Sequence, residues 1–464
     1  MGVGVRTRRV WPAVLVLIAL GFVVIEAHAG VSRPLVERRL ANGLRVLVCP
    51  DPGGVDVSVL VHYDVGSRDE PGGLEGLAHL TEHLMFTGSK HVARGDFERL
   101  LERAGAVNVN AETNVDGTFF HETMPPERLD LALWLESDRM GYLLDRLGES
   151  ELDHERAAVL NEHRLRITEN TLGALEGIVR TELFPPWHPY SHVVAGSPRS
   201  IAGIGLADAR AFLATWYGPG NATLLISGKV DPALALGLAE RYFGALPARP
   251  PPKRPPLPPL QPPSARVIHV GAGVTRSELR IAWLTPPLHA PGDLELDIVA
   301  NVLTDKDSGW LRRRLMDAPR IAASVIAVQR SMELASIFEI RAVVAEGHTN
   351  EEVLAIVDDA LARFETSVDA REVGRAQLAW FNTRLFRLES SQGWAISLAL
   401  ALRGKQAPAL FDGQIQRHSA MSGAAVGAAP RAFLGRAHRV VTMIEPVKGA
   451  PLRGVLLSRQ ELSP

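Results

Sequence analysis

The chain has 464 residues, 46% hydrophobic and 22% charged, so it can bury more than one core and is not a disordered polymer. Its 50 basic and 52 acidic residues nearly cancel, which leaves no surface for a polyanion and argues against nucleic acid as a partner. Cys49 is the only cysteine, so no intrachain disulfide can form, and its place in "LRVLVCP" predicts a small residue inside a buried strand.

The chain opens with Arg6, Arg8 and Arg9, then the apolar run "VWPAVLVLIALGFVVI", then Ala27-His28-Ala29. A basic start, an apolar middle and an A-x-A site predict a signal peptide over residues 1–29, cleaved after Ala29, and hence a periplasmic protein without stable membrane insertion. The alternative is a retained anchor, for which the run is short. No later segment is long and apolar enough to span a bilayer.

Strand-like runs "LRVLVCP" and "VSVLVHYDVGS" begin the first half, amphipathic helices follow, and "NATLLISGKV" ends it. Residues 250–263, "PPPKRPPLPPLQPP", cannot form a helix or a central strand and predict an extended linker. Beyond it the order repeats: "SARVIHVGAG" and "SELRIAWLTP", then helices, then "HRVVTMIEP". The expectation is an α+β protein of two similar domains, 30–249 and 264–464.

The chemistry concentrates in "GLAHLTEHLMF", residues 76–86. At helical spacing His79, Glu82 and His83 project together, while Leu77, Leu80, Thr81 and Leu84 cover the other sides. Buried imidazoles and a buried carboxylate are costly unless paired or bound to metal. Histidines at i and i+4 suit tetrahedral zinc, and a carboxylate one turn away can act as general base. The order His-x-x-Glu-His is the inverzincin pattern. Two satisfied core histidines beside a surface Glu are the bland reading of the motif alone.

A third ligand should come from elsewhere, and "GESELDHERAAVLNEHRLRI" offers Glu155 and Glu162, seven apart and bordering the apolar stripe of Leu152, Val159, Leu160 and Ile167. Ser150 with Asp153 reads as a capping box that starts this helix. Solvated surface acids are the plain alternative for both glutamates. No G-x-S-x-G elbow supports a serine hydrolase.

With these motifs in order, the chain resembles the M16 family of zinc peptidases (pitrilysin, insulin-degrading enzyme, mitochondrial processing peptidase). "LANGLRVLV", "VGSRDEPGGLEGLAHLTEHLMFTGS", "NAETNVDGTFF", "ERAAVLNE", "HPYSHVVAGS" and "YGPGNATLLISG" carry the resemblance, with a looser likeness in the second half. It implies two domains, each a mostly antiparallel sheet flanked by helices. It also implies one Zn2+ held by His79, His83 and Glu162, with Glu82 as general base and Glu155 orienting a ligand. Asn110 and Ala111 would lie on a strand edge to which a peptide substrate adds. His188 is read as structural.

The chain departs from the family at the second-half Arg and Tyr that hold substrate near the metal. These positions fall at Trp310 and Ala323, and Arg312, Arg313 and Arg314 are offset. The departure implies a homodimer, or a heterodimer in which a second M16-type chain supplies the missing pair. A non-catalytic relative kept for binding or assembly is the alternative reading.

Overall fold

The computed structural model of the chain describes residues 33–317, 319–402, 413, 415–418 and 420–462; the expected signal peptide lies outside them. In chain order the first half runs β1 (Val36–Arg39), β2 (Arg45–Pro50), β3 (Val57–Tyr63), α1 (Leu77–Leu84), α2 (Asp96–Arg103), β4 (Val107–Thr113) and β5 (Thr118–Met124). It continues with α3 (Leu129–Tyr142), α4 (Glu149–His163), α5 (Thr171–Leu183), α6 (Pro198–Gly203), α7 (Leu206–Trp216), β6 (Ala222–Gly228) and α8 (Pro232–Phe243). Its six strands form one sheet in the order β1-β2-β6-β3-β5-β4, antiparallel except for the β2–β6 pair.

Residues 247–265, which include the proline-rich stretch, contain neither helix nor strand. Beyond them come β7 (Arg266–Ala272), β8 (Glu278–Thr285), α9 (Asp293–Thr304), α10 (Trp310–Met316), β9 (Ala322–Arg330) and β10 (Ser336–Val344). Then follow α11 (Asn350–Ser367), α12 (Ala370–Arg387), α13 (Ser391–Leu402), α14 (Gly423–Phe433), β11 (Arg439–Pro446) and β12 (Val455–Glu461). The second sheet has the order β12-β7-β11-β8-β10-β9, again with one parallel pair, β7–β11. The halves are therefore two copies of one topology, as their similar order of apolar runs predicts. They differ at one edge: β1 precedes the rest of its sheet in the chain, whereas β12 follows the rest of its own.

Strands β3 and β5 are buried along their whole length, as expected of strands covered on both faces. On one face Val57, Val59, Val61, Phe120, Leu224 and Ile226 join the apolar sides of α1, α3 and α8 in a single core. On the other face α13, from the second half, packs across β3, β5 and β6. There Gln392 meets the His121 ring at 3.0 Å and the Ser391 hydroxyl donates to Asp56 at 2.7 Å. Cys49 is buried in β2, as its strand setting predicts, and burial pushes its thiol up to about 11.

A second junction is ionic. Arg68, 3% exposed at its side chain, pairs with Asp64, Asp116 and, across the halves, Glu333 at 2.7 Å. The Glu333 and Leu334 amides donate to Asp116 and to the Tyr190 hydroxyl, which itself hydrogen-bonds Asp116. Within the proline-rich stretch, Arg254 forks onto Asp64 and Asp69 and lies over the Trp216 ring. The linker is thus pinned to the first half by charge-assisted bonds rather than left as a free spacer. Residues 33 onward form one compact unit.

In the second half Asp297, on the side of α9 that meets α12, is held up to about 7 by burial, against the pull of the Arg384 guanidinium. The unfolded carboxyl titrates near 3.9, so between about pH 4 and 7 the folded chain binds more protons than the unfolded one. Stability contributed here is therefore full below about pH 4 and is lost as pH rises through 7. Asp297→Asn is expected to flatten this dependence. At pH 8 it should be more stable than the parent by about 4 kcal/mol, and at pH 4 close to it, as read by urea midpoints at the two pH values.

Candidate active site

Helix α1 is only eight residues long and is buried at Leu77, Ala78, Leu80, Thr81 and Leu84. Its start is built by two devices. Gly76 sits at φ 99°, and a Cβ there would press on the Ala195 carbonyl oxygen at 3.0 Å, so the position requires glycine. The carboxylate of Glu70, 1% exposed, accepts the amides of Gly76 (3.1 Å) and Ala78 (2.8 Å), closing a helix end that has no side-chain cap of its own.

Helix α4 supplies the facing wall and contacts α1 directly. It starts at Glu149, with the Gly148 amide donating to Glu151, so Ser150 lies inside the helix and the expected Ser150–Asp153 box is not what begins it. A carboxylate reaching back from Glu151 replaces the hydroxyl cap. Glu155 and Glu162 then fall two turns apart on the side facing α1, and a wide π-type turn, Arg164–Thr168, follows.

The structure brings His79, His83 and Glu162 together: one ligand atom from each lies within 4.8 Å of the others, the sole such grouping found among the described residues. His79 Nε2 is 3.7 Å from Glu162 Oε1, and His83 Nε2 is 3.2 Å from Glu162 Oε2. Ligands at about 2.0–2.2 Å around a tetrahedral ion stand about 3.3–3.6 Å apart, close to these two separations, so the three side chains could hold a zinc ion. Glu155 Oε2 lies 3.6 Å from His83 Nδ1, on the side away from the cluster, and its other oxygen takes a bond from Arg94 at 2.9 Å. That arrangement suits a carboxylate that orients a ligand histidine.

The charges are strongly coupled. Hydrogen bonding to His83 draws the Glu162 carboxyl down to about 2, and burial is overcome at His83, where Glu155 and Glu162 push the imidazole up to about 9. Burial, with His83 alongside, draws His79 down to about 4, and burial raises Glu82. His79 Nδ1 is buried without a partner. Arg166 also reaches Glu162, at 2.7 Å, so the acid has a cationic partner besides the two imidazoles; two histidines and a carboxylate converging in a half-buried setting are a donor set that suits a divalent cation.

Glu82 does not turn toward the other three alone: its Oε2 accepts a 2.5 Å bond from Thr113, the last residue of β4. Strand β4 is the outer strand of its sheet, with only β5 beside it. Asn110 pairs with His121 and Ala111 with Phe120, so both lie on this edge, with Asn110 exposed. A bulge interrupts the pairing between Val107 and Asn110, and Asn108 there has φ 54°. His188 is buried, stacks on Phe184 and accepts the Tyr190 amide, remote from the cluster in its contacts.

In the second half Trp310 is buried and donates to Glu372, while Ala323 is exposed on the edge strand β9. Arg313 and Arg314 are engaged by Glu372 and Asp359. Helix α9, which occupies the place of α1 in the repeated topology, buries Ile298, Val299, Val302 and Leu303 and has no histidine; its carboxylates, Asp293, Glu295 and Asp297, join no grouping that could hold a metal among the described residues. Sequence reasoning missed Glu70, Arg94 and Thr113. Only the Thr113 position carried a signal, as the threonine of "NAET".

Two family models match the chain: "Insulinase (Peptidase family M16)" over residues 45–175 and "Peptidase M16 inactive domain" over 203–379. The zinc protease PqqE of Helicobacter pylori is 29% identical over 373 residues, covering 78% of this chain and 81% of that protein. The crystal structure of a protease from Helicobacter pylori superposes with a TM-score of 0.82 at 26% identity, covering 89% of this chain and all of that one. The periplasmic protease PqqL from Escherichia coli shares the fold (TM-score 0.73, 17% identity), and 90% of this chain covers 49% of its length. With its duplicated sheet topology and matching models over both halves, the chain belongs to the M16 family of peptidases.

Proposed function

We propose that this chain is a zinc-dependent endopeptidase of the periplasm. The observation that carries the reading is the convergence of His79, His83 and Glu162 from two helices, with the Glu82 carboxylate on the same short helix as both histidines. The description "inactive domain" belongs to residues 203–379, and all four of these residues lie within 45–175. This favours an enzyme over a relative kept only for binding or assembly.

In this reading His79, His83 and Glu162 hold the ion. When bound, zinc polarises the scissile carbonyl and makes a water acidic enough to attack near neutral pH. Glu82 takes the proton of that water and passes it to the leaving amine, a task suited to a carboxyl whose affinity for protons is raised by burial. Glu155 holds the His83 ring through Nδ1, with Arg94 fixing the far side of its carboxylate. The β4 edge around Asn110 and Ala111 receives an extended peptide as an added strand, which gives affinity without demanding a particular sequence. The substrate class is peptides or unfolded polypeptide.

A second chain completes the site. Trp310 and Ala323 cannot supply a charged or phenolic contact to substrate, and Arg313 and Arg314 are already paired. PqqL, about twice the length covered here, carries the extra mass in one chain. In this reading the complementary half comes from a dimer partner, a second copy or another M16-type chain. The basic, apolar N-terminal residues support export to the periplasm, the compartment named for PqqL.

Glu82→Gln is expected to keep stoichiometric zinc by elemental analysis while peptide cleavage falls by about 10²–10⁴-fold. His79→Ala and Glu162→Ala should lose the metal, and added zinc should raise the Tm of the parent and of Glu82→Gln but not of these two. Sedimentation of the active species should give the mass of two chains. A monomer with full activity would refute the shared site.

A further inference from the structure

Glu82 has three rotatable bonds and sits at the mouth of the cluster, so something must hold its carboxylate in one place. The hydroxyl of Thr113 reaches its Oε2 at 2.5 Å. This donor is itself fixed from behind. Thr113 pairs with Thr118 across a tight turn in which the Asn114 side chain accepts the amides of Asp116 (2.9 Å) and Gly117 (3.0 Å). Thr118 Oγ1 stands 3.3 Å from Thr113 Oγ1, which at first sight offers Thr113 another acceptor.

The proton count decides the direction. Each hydroxyl has one proton. That of Thr118 goes to the Val65 carbonyl at 2.9 Å, and the buried Tyr217 hydroxyl donates to Thr118 at 3.4 Å. Thr118 therefore has nothing to give to Thr113. An ionised carboxylate is an acceptor without a proton to donate, and its bond to Thr113 is the shortest in this group. The single proton of Thr113 goes to Glu82.

Resting on the zinc-peptidase reading above, we propose that Thr113 is a positioning residue for the general base: its hydroxyl, carried at the end of β4 beside the Asn114 turn, holds the Glu82 carboxylate in one orientation. It also ties the base, on α1, to β4, the strand that would receive the substrate. A threonine serving only the sheet would need its shape and not its hydroxyl.

Thr113→Val keeps that shape and removes the donor; Thr113→Ser keeps the donor. With zinc content and Tm unchanged in both, Thr113→Val is expected to lower kcat by about 10–100-fold with KM within about twofold, and Thr113→Ser to stay within about threefold of the parent. Should Val misfold, Thr113→Ala takes its place. A crystal structure of the Val variant gives a readout independent of activity, with Glu82 expected in more than one conformer. Unchanged kcat in Thr113→Val, or a single unaltered Glu82 conformer, overturns the proposal. If instead Glu82→Gln cleaves as well as the parent, the peptidase reading itself has failed, and the Glu82 conformers alone then decide the role of Thr113.

Discussion

A helix of two turns cannot hold itself together in water, because the cost of starting it exceeds what so few hydrogen bonds return. Yet α1 carries His79, Glu82 and His83 within five residues. Its rigidity has to come from outside. The apolar side is locked into the first core, the N-terminus is closed by the buried Glu70 carboxylate, and the C-terminal turn faces β4 through Glu82 and Thr113. The precision of the whole cluster is borrowed from these tertiary contacts, since nothing in the intrinsic preference of "LAHLTEHL" would supply it.

The same economy recurs across the molecule. The first sheet is covered on one face by its own helices and on the other by α13 from the second half. The junction beside it buries Arg68 among Asp64, Asp116 and Glu333. Such buried ion pairs add little net stability, since desolvation cancels much of the attraction, but breaking one partner leaves an isolated charge and is costly. Their value here is registry. Arg68 lies in the segment leading to α1, and Glu333 lies between β9 and β10, so the pair fixes the helix that carries His79 and His83 relative to the repeated half.

The two halves share a topology but not a chemistry. Where α1 places two imidazoles beside a carboxylate, α9 has carboxylates but no histidine, and its buried face is mostly aliphatic. Trp310 is a buried residue bonded to Glu372, and Ala323 lies exposed on the edge strand β9.

The sequence by itself determined the duplicated α+β arrangement, the break at 250–263 and the grouping of His79, Glu82 and His83, because these follow from periodicity and from spacing within one helix. It also named Glu155 and Glu162 on a second helix. Their meeting with α1 was decided by tertiary structure, because which faces of two distant helices touch depends on the sheet between them. Glu70 as a remote cap and Arg94 behind Glu155 were likewise invisible, and Thr113, although part of "NAET", gave no sign that it would face Glu82. Each is an ordinary polar residue whose role comes from the atom it happens to face, and local sequence preference holds no record of that.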